Sequence, residues 1–204
     1  MADELDESRI LSALRDSGYE AESISALRSS GVRYRAAIPL LVEELSRSRD
    51  PRVLEDIVRA LSVPWASPLA IGPLIHFFQS DISATPPSLR WVVGNALAVL
   101  WSDQFFDELS SLALDERYGK AREMIVLGMA KSRRVETTSL LVRLSNDDVT
   151  SGHAVRALRK LGEPKAKETF ERMLSDKRAW VRGDARAALA ALQKKISTSD
   201  KAAD

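Results

Sequence analysis

Residues 176–189 read Asp-Lys-Arg-Ala-Trp-Val-Arg-Gly-Asp-Ala-Arg-Ala-Ala-Leu. Val181, Ala185 and Ala188 fall seven, three and zero positions before the small residue of the closing Ala-Leu pair. Offsets of this kind lie on one face of an α-helix, so the stretch predicts an amphipathic helix with a small residue in its apolar stripe. A small residue there lets a neighbouring helix approach closely. The same dipeptide recurs upstream as Ala26-Leu27, Ala60-Leu61, Ala96-Leu97, Gly128-Met129 and Ala157-Leu158, at intervals of 34, 36, 32, 29 and 31 residues. That spacing accommodates two short helices and two turns, and a fixed period of this length marks a repeat architecture.

Each unit supports the register. Three before the small residue stand Ile57, Val93, Ile125, Ala154 and Ala185, and seven before it Val53, Leu89, Ala121, Thr150 and Val181. A second apolar helix precedes each stripe: Ile38-Leu41-Leu45, Leu74-Ile75-Phe78, Phe105-Leu109-Leu112, Leu140-Leu141-Leu144 and Phe170-Met173-Leu174. The period throughout is helical, and an all-α chain of helix pairs is expected.

Asp50-Pro51-Arg52-Val53 with Arg59-Ala60-Leu61, residues 176–189, and Ala154-Val155-Arg156-Ala157-Leu158-Arg159-Lys160-Leu161-Gly162-Glu163-Pro164 resemble bacterial HEAT-like repeats of the PBS-lyase type. The resemblance covers roughly residues 20 to 193 and is weakest in the third unit, where Gly128-Met129 replaces Ala-Leu. It implies a right-handed α-solenoid of about five to six helix pairs in a single domain, 1–193, with one curved surface for binding. Residues 1–18 are expected to form an N-terminal cap helix, carrying Leu5, Ile10, Leu11 and Leu14 and stopped by Gly18. From Lys194 to Asp204 the period is lost, and a disordered tail is expected.

Composition sets the boundaries of function. The 204 residues include no cysteine, which excludes disulfides and zinc–thiolate sites. No apolar run reaches the ~18 residues of a membrane span, and the acidic start is unlike a signal peptide, so a cytoplasmic protein without a membrane partner is expected. The net charge of +1 hides a strong polarity. Residues 1–116 carry ten basic against eighteen acidic groups, and residues 117–196 nineteen against nine. Arg156 and Arg186 precede their anchors at similar helical positions in successive units, and a basic ridge made of them with Arg159 would attract an acidic protein surface or phosphates. The bland alternative has them capping helices and pairing with Glu168, Glu171 and Asp184.

The second unit departs from the pattern at Trp65 and in the long loop Gln79–Ser88, which Pro86 and Pro87 stiffen. Insertions in repeat arrays gather on one edge, often the binding edge. Trp65, Pro86, Pro87, Arg156, Arg159 and Arg186 are therefore the candidate partner contacts. Of two histidines, His76 sits in an apolar run and is expected to be partly buried, while His153 lies on a half-exposed helix. Neither joins a metal-binding or catalytic pattern, and no cofactor is implied.

A non-catalytic protein-binding module, whether scaffold, adaptor or immunity protein, fits these features. The rival is a nucleic-acid-binding repeat protein resembling the HEAT-like alkylpurine DNA glycosylases, for which Trp101, Asp103 or Asp107, Arg143 and Trp180 supply the residue types. A resemblance to HEAT-like subunits of bilin lyases names no chromophore-specific residue.

Overall fold

The computed structural model describes residues 2–81 and 83–203 in backbone, and the side chains of residues 6–81, 83–195 and 198. Leu5 of the expected cap thus lies outside the described side chains, as does Ile82 of the long loop. Twelve α-helices and no strand occur among the described residues, as the helical period predicts. The chain folds as two compact units, Met1–Trp101 and Ser102–Asp204.

The first unit contains α1 (Ala2–Asp16), α2 (Ile24–Ser29), α3 (Ile38–Arg47), α4 (Pro51–Leu61), α5 (Ile71–Gln79) and α6 (Pro87–Leu100). Helix α3 packs on α4 and α5 on α6, while α2, α4 and α6 form a second line of contacts. The second unit contains α7 (Phe106–Leu114), α8 (Arg122–Gly128), α9 (Thr137–Leu144), α10 (Ser151–Leu161), α11 (Lys167–Met173) and α12 (Ala179–Ala203). There α7 packs on α8, α9 on α10 and α11 on α12, with α8, α10 and α12 in line. The line in each unit is made of the helices that carry the small-residue stripe. Ala60, Ala96 and Ala157 are fully buried, Ala188 is 4% exposed, and every residue three or seven before them is buried too. Ala26 is only half-buried, because α2 is the first helix of its line.

Three apolar positions depart from the expected stripes. Phe105 ends a 3-10 turn (Asp103–Phe105) that shifts the phase, so Phe106 is buried in its place. Leu140 is half-buried and Leu174, beyond the end of α11, is 38% exposed. In α1, Ile10 and Leu14 are fully buried, and Gly18 at φ +86° supports the stop that follows the helix. Arg9 reaches from α1 to the buried Glu44 of α3, and Asp6 accepts from Ser48 Oγ at 2.9 Å. At the other end α12 runs on past residue 194 to Ala203, where the sequence has neither Gly nor Pro to stop it. Leu192 is the last buried residue among the described side chains.

The turns inside the helix pairs share one chemistry. Asp50, Asp81, Asp115, Asp147 and Asp176 each accept, through Oδ1, the backbone N–H two residues ahead, at 2.7, 2.8, 3.1, 2.9 and 2.8 Å. This is the aspartate turn, in which the side chain replaces a backbone acceptor. An arginine six residues before the small anchor then serves the carbonyls around that turn. Arg90 donates to Phe78 O, to Ser80 O at 3.2 Å and to Asp81 O at 3.0 Å. Arg122 donates to Ala113 O and Gly119 O, both at 3.2 Å, and to Asp147 Oδ2 at 2.9 Å. Arg182 donates to Asp176 O at 2.8 Å and Lys177 O at 3.0 Å.

Arg122 is 2% exposed, so its charge is satisfied entirely by protein groups. Truncation removes this donor from the buried Ala113 carbonyl and from the half-buried Gly119 carbonyl and Asp147 carboxylate. Arg122→Ala is expected to lose roughly 3–5 kcal/mol in urea unfolding followed by circular dichroism. A loss below 1 kcal/mol would show that water replaces the guanidinium at no cost.

Candidate functional site

Trp180 stands in the first turn of α12 and is 38% exposed. Its ring lies directly on the start of α10, because residue 152 there is glycine: a Cβ at Gly152 would fall 2.4 Å from the indole. His153 meets the same ring edge-on, with centroids 5.5 Å apart. Two guanidinium groups flank the indole, Arg156 at 4.5 Å and Arg178 at 5.8 Å from its centroid. An aromatic face attracts a cation at such distances.

Both arginines are themselves held. Arg156 Nε donates to Asp184 Oδ2 at 2.7 Å, and Asp184 is 8% exposed. Arg159 Nε lies 2.9 Å from Asp184 Oδ1, near enough for charge attraction although its N–H is not aligned as a hydrogen bond. One carboxylate thus anchors two guanidiniums, leaving a net positive charge. Arg178 grips Asp176 from Nε at 2.9 Å and Nη2 at 2.7 Å, and also donates to Ser151 Oγ at 2.7 Å. This hydrogen bonding to Arg178 is the main reason the Asp176 carboxyl lies at about 2, below its ordinary value, against an opposing effect of burial. Burial holds the His153 imidazole below its ordinary value; the Glu123 carboxylate opposes this, and Arg156 and Arg178 reinforce it.

Of the expected ridge, the structure brings Arg156 and Arg159 together at Asp184. Arg186 is exposed elsewhere on α12 and shares no ion pair with them among the described residues. Asp184 is one of the three acids the bland alternative names, so that alternative describes part of the geometry. Trp65 lies half-buried in the first unit, edge-on to Tyr34 at 6.0 Å and under Arg33 at 5.7 Å. Its Nε1 is buried without an acceptor among the described residues. Pro86 caps α6 and Pro87 follows, exposed, as its first residue. The loop they close is not a loose insertion, since Arg90, 3% exposed, is hydrogen-bonded into it.

His76 is exposed rather than partly buried. The run around it is helical, so Leu74, Ile75 and Phe78 turn inward and the position between them turns out. Of the glycosylase-like set, Asp103 Oδ2 accepts the Arg133 backbone N–H at 2.8 Å, and Asp107 and Arg143 are exposed on α7 and α9. Nothing in the sequence pattern singled out Gly152 or Asp176 as parts of a site. Asp176 opens the helix-start motif Asp176-Lys177-Arg178, whereas Gly152 lies in the preceding unit and carries no sequence signal. Among the described residues no three His, Asp or Glu side chains converge to hold a metal ion, and no helix is long and apolar enough to cross a membrane.

Pro86 does line a second feature, an open groove of about 510 Å³ in the first unit between the α3–α4 turn and the start of α6. No protein-family model matches the chain, and no curated protein is significantly similar to it.

Two tests probe the platform. Gly152→Ala should push Trp180 off α10, seen as a changed indole resonance for Trp180 by NMR with the other three tryptophans unmoved. An unchanged spectrum would mean that the ring is not seated there. Asp176 has a folded pKa below its unfolded one, so its contribution is complete above pH ~4 and vanishes as pH falls through about 2. Asp176→Asn should therefore cost about 1 kcal/mol at pH 7, the pair being screened at the surface, with the gap from wild type closing near pH 2. Thermal melts across pH read this directly, and a gap independent of pH would refute the assignment.

Proposed function

We propose that the chain is a non-catalytic, cytoplasmic protein-binding module built as a short HEAT-like α-solenoid, and that the platform around Trp180 receives an acidic surface of its partner. Support for the solenoid is the packing within each unit: consecutive helices pair, and the stripe-bearing helices stack in line. Support for binding rests on one observation, the exposed Trp180 fixed on Gly152 between two guanidiniums that are themselves anchored. Binding energy at protein interfaces concentrates in tryptophan and arginine at well-packed positions. Here the groups are ordered before the partner arrives, which reduces the entropy lost on binding. The surrounding segment, residues 117–196, carries a net charge of +10, which speeds encounter with an acidic surface.

The second reading, a nucleic-acid-binding repeat protein of the glycosylase-like kind, draws on the same contact, because an indole beside a guanidinium also stacks an unpaired base. The two separate experimentally. Affinity capture from nuclease-treated lysate, with mass-spectrometric identification, supplies the partner, and titration with wild-type protein and Trp180→Ala follows. The protein-binding reading expects Trp180→Ala to weaken that defined complex about 30-fold or more. Wild-type binding to a labelled single-stranded oligonucleotide, falling steeply with salt and lost in Trp180→Ala, would establish the second reading instead. Unchanged affinity of Trp180→Ala for both would remove the platform from function.

A further inference from the structure

We propose that the groove in the first unit is a binding site for an amphiphilic monoanion of the medium-chain fatty carboxylate class. This inference is independent of the protein-binding reading, which rests on residues of the other unit. The groove's volume, about 510 Å³, falls within the range of small-molecule sites, about 300–1,000 Å³. Its inner surface is apolar: Leu45 and Leu54 come from the α3–α4 side, Phe77 from α5, and Pro86 and Leu89 from the start of α6. An aliphatic chain laid along these side chains leaves water at little cost to its own polar groups, since it has none.

The rim decides the head group. Among the described residues no Asp or Glu lines the groove, whereas Arg49 and His76 do, and both are exposed. The Arg49 side chain donates from Nη1 to the carbonyls of Ser46 at 3.0 Å and Ser48 at 3.2 Å, and pairs with no carboxylate among the described residues. That sets it apart from Arg47 and Arg59 nearby, which pair with Glu43 and Glu55 on their own helices. The acid behind the groove wall, Asp6, already accepts from Ser48 Oγ at 2.9 Å and from Arg9 at 3.3 Å. A ligand carboxylate at the rim therefore meets an uncompensated guanidinium and an imidazole N–H, without a competing acid among the described lining residues. A neutral head gains less there, and a cationic head is repelled.

Calorimetric titration of the full chain with decanoate, decan-1-ol and decyltrimethylammonium, each below its micellar concentration, tests the assignment. Decanoate should bind at least tenfold tighter than the other two, and octanoate about fourfold weaker per methylene removed. Arg49→Glu should weaken decanoate at least tenfold while leaving decanol unchanged. Ala84→Trp, an exposed loop position on the groove lining, should block all three ligands. Both substitutions are at exposed side chains, and thermal melts matching wild type establish that each variant is folded. Equal affinity for the three head groups, full retention of decanoate by Arg49→Glu or by folded Ala84→Trp, or no binding of decanoate at millimolar concentration would each overturn the proposal.

Discussion

A helix that stops inside a packed array leaves carbonyl groups facing its turn, and those groups must be paired. In this protein the turn between first and second helix is folded by an aspartate, and its carbonyls are served from the next helix by an arginine. The aspartate bond occurs at Asp50, Asp81, Asp115, Asp147 and Asp176, and the arginine at Arg90, Arg122 and Arg182. Helix packing follows from this closure, because it sets how far each second helix lies from its first and so where the small anchor meets the next helix. Where the arginine is missing, neighbours substitute: Ser151 stands at the equivalent position in α10, and Arg172 and Arg178 reach back to Ser145 and Ser151.

The apolar stripe was legible in the sequence because burial writes itself as a period. Ile57, Val93, Ile125, Ala154 and Ala185 repeat at one offset, and all are fully buried. Arginine stands at minus six in three of these five units, as Arg90, Arg122 and Arg182, and an isolated Arg carries no mark of burial. Arg90 and Arg122 count as surface charge in any composition, although they are 3% and 2% exposed. Apart from the Arg122 bond to Asp147, their function depends on carbonyls, which every residue has, so partner residues do little to reveal them. The aspartates were hidden differently: their distance to the small anchor varies as the turns lengthen, most of all at Asp81, where the long loop intervenes. His76 was misread because an apolar run suggests burial on all sides, while a helix buries only part of its circumference.

The candidate site was half legible for the same reason. Helical spacing aligns Arg156 with Arg186, yet it is Arg156 and Arg159 that meet, at Asp184. Asp184, which the alternative reading names as a pairing acid, converts a row of free charges into an anchored pair. A count of arginines alone therefore overstates the positive field. In the second unit Arg122, Arg156, Arg159 and Arg178 have carboxylate partners, so electrostatic attraction falls more heavily on exposed groups such as Arg186 and Lys160.

The Trp180 platform also draws on the turn that closes the last helix pair. Asp176 accepts the backbone N–H of Arg178, the residue just before α12, and with the same carboxylate holds the guanidinium that flanks the indole. Arg182, one turn along, takes the carbonyls of Asp176 and Lys177, so the segment leading into Trp180 is fixed at both ends. Gly152 supplies the seat in the first turn of α10, where any larger residue would collide with the ring. Rigidity at the site is thus a consequence of turn closure rather than a separate device. A binding surface assembled this way cannot be softened without loosening the helix that carries it, and residues that orient Trp180 will register in stability as well as in affinity.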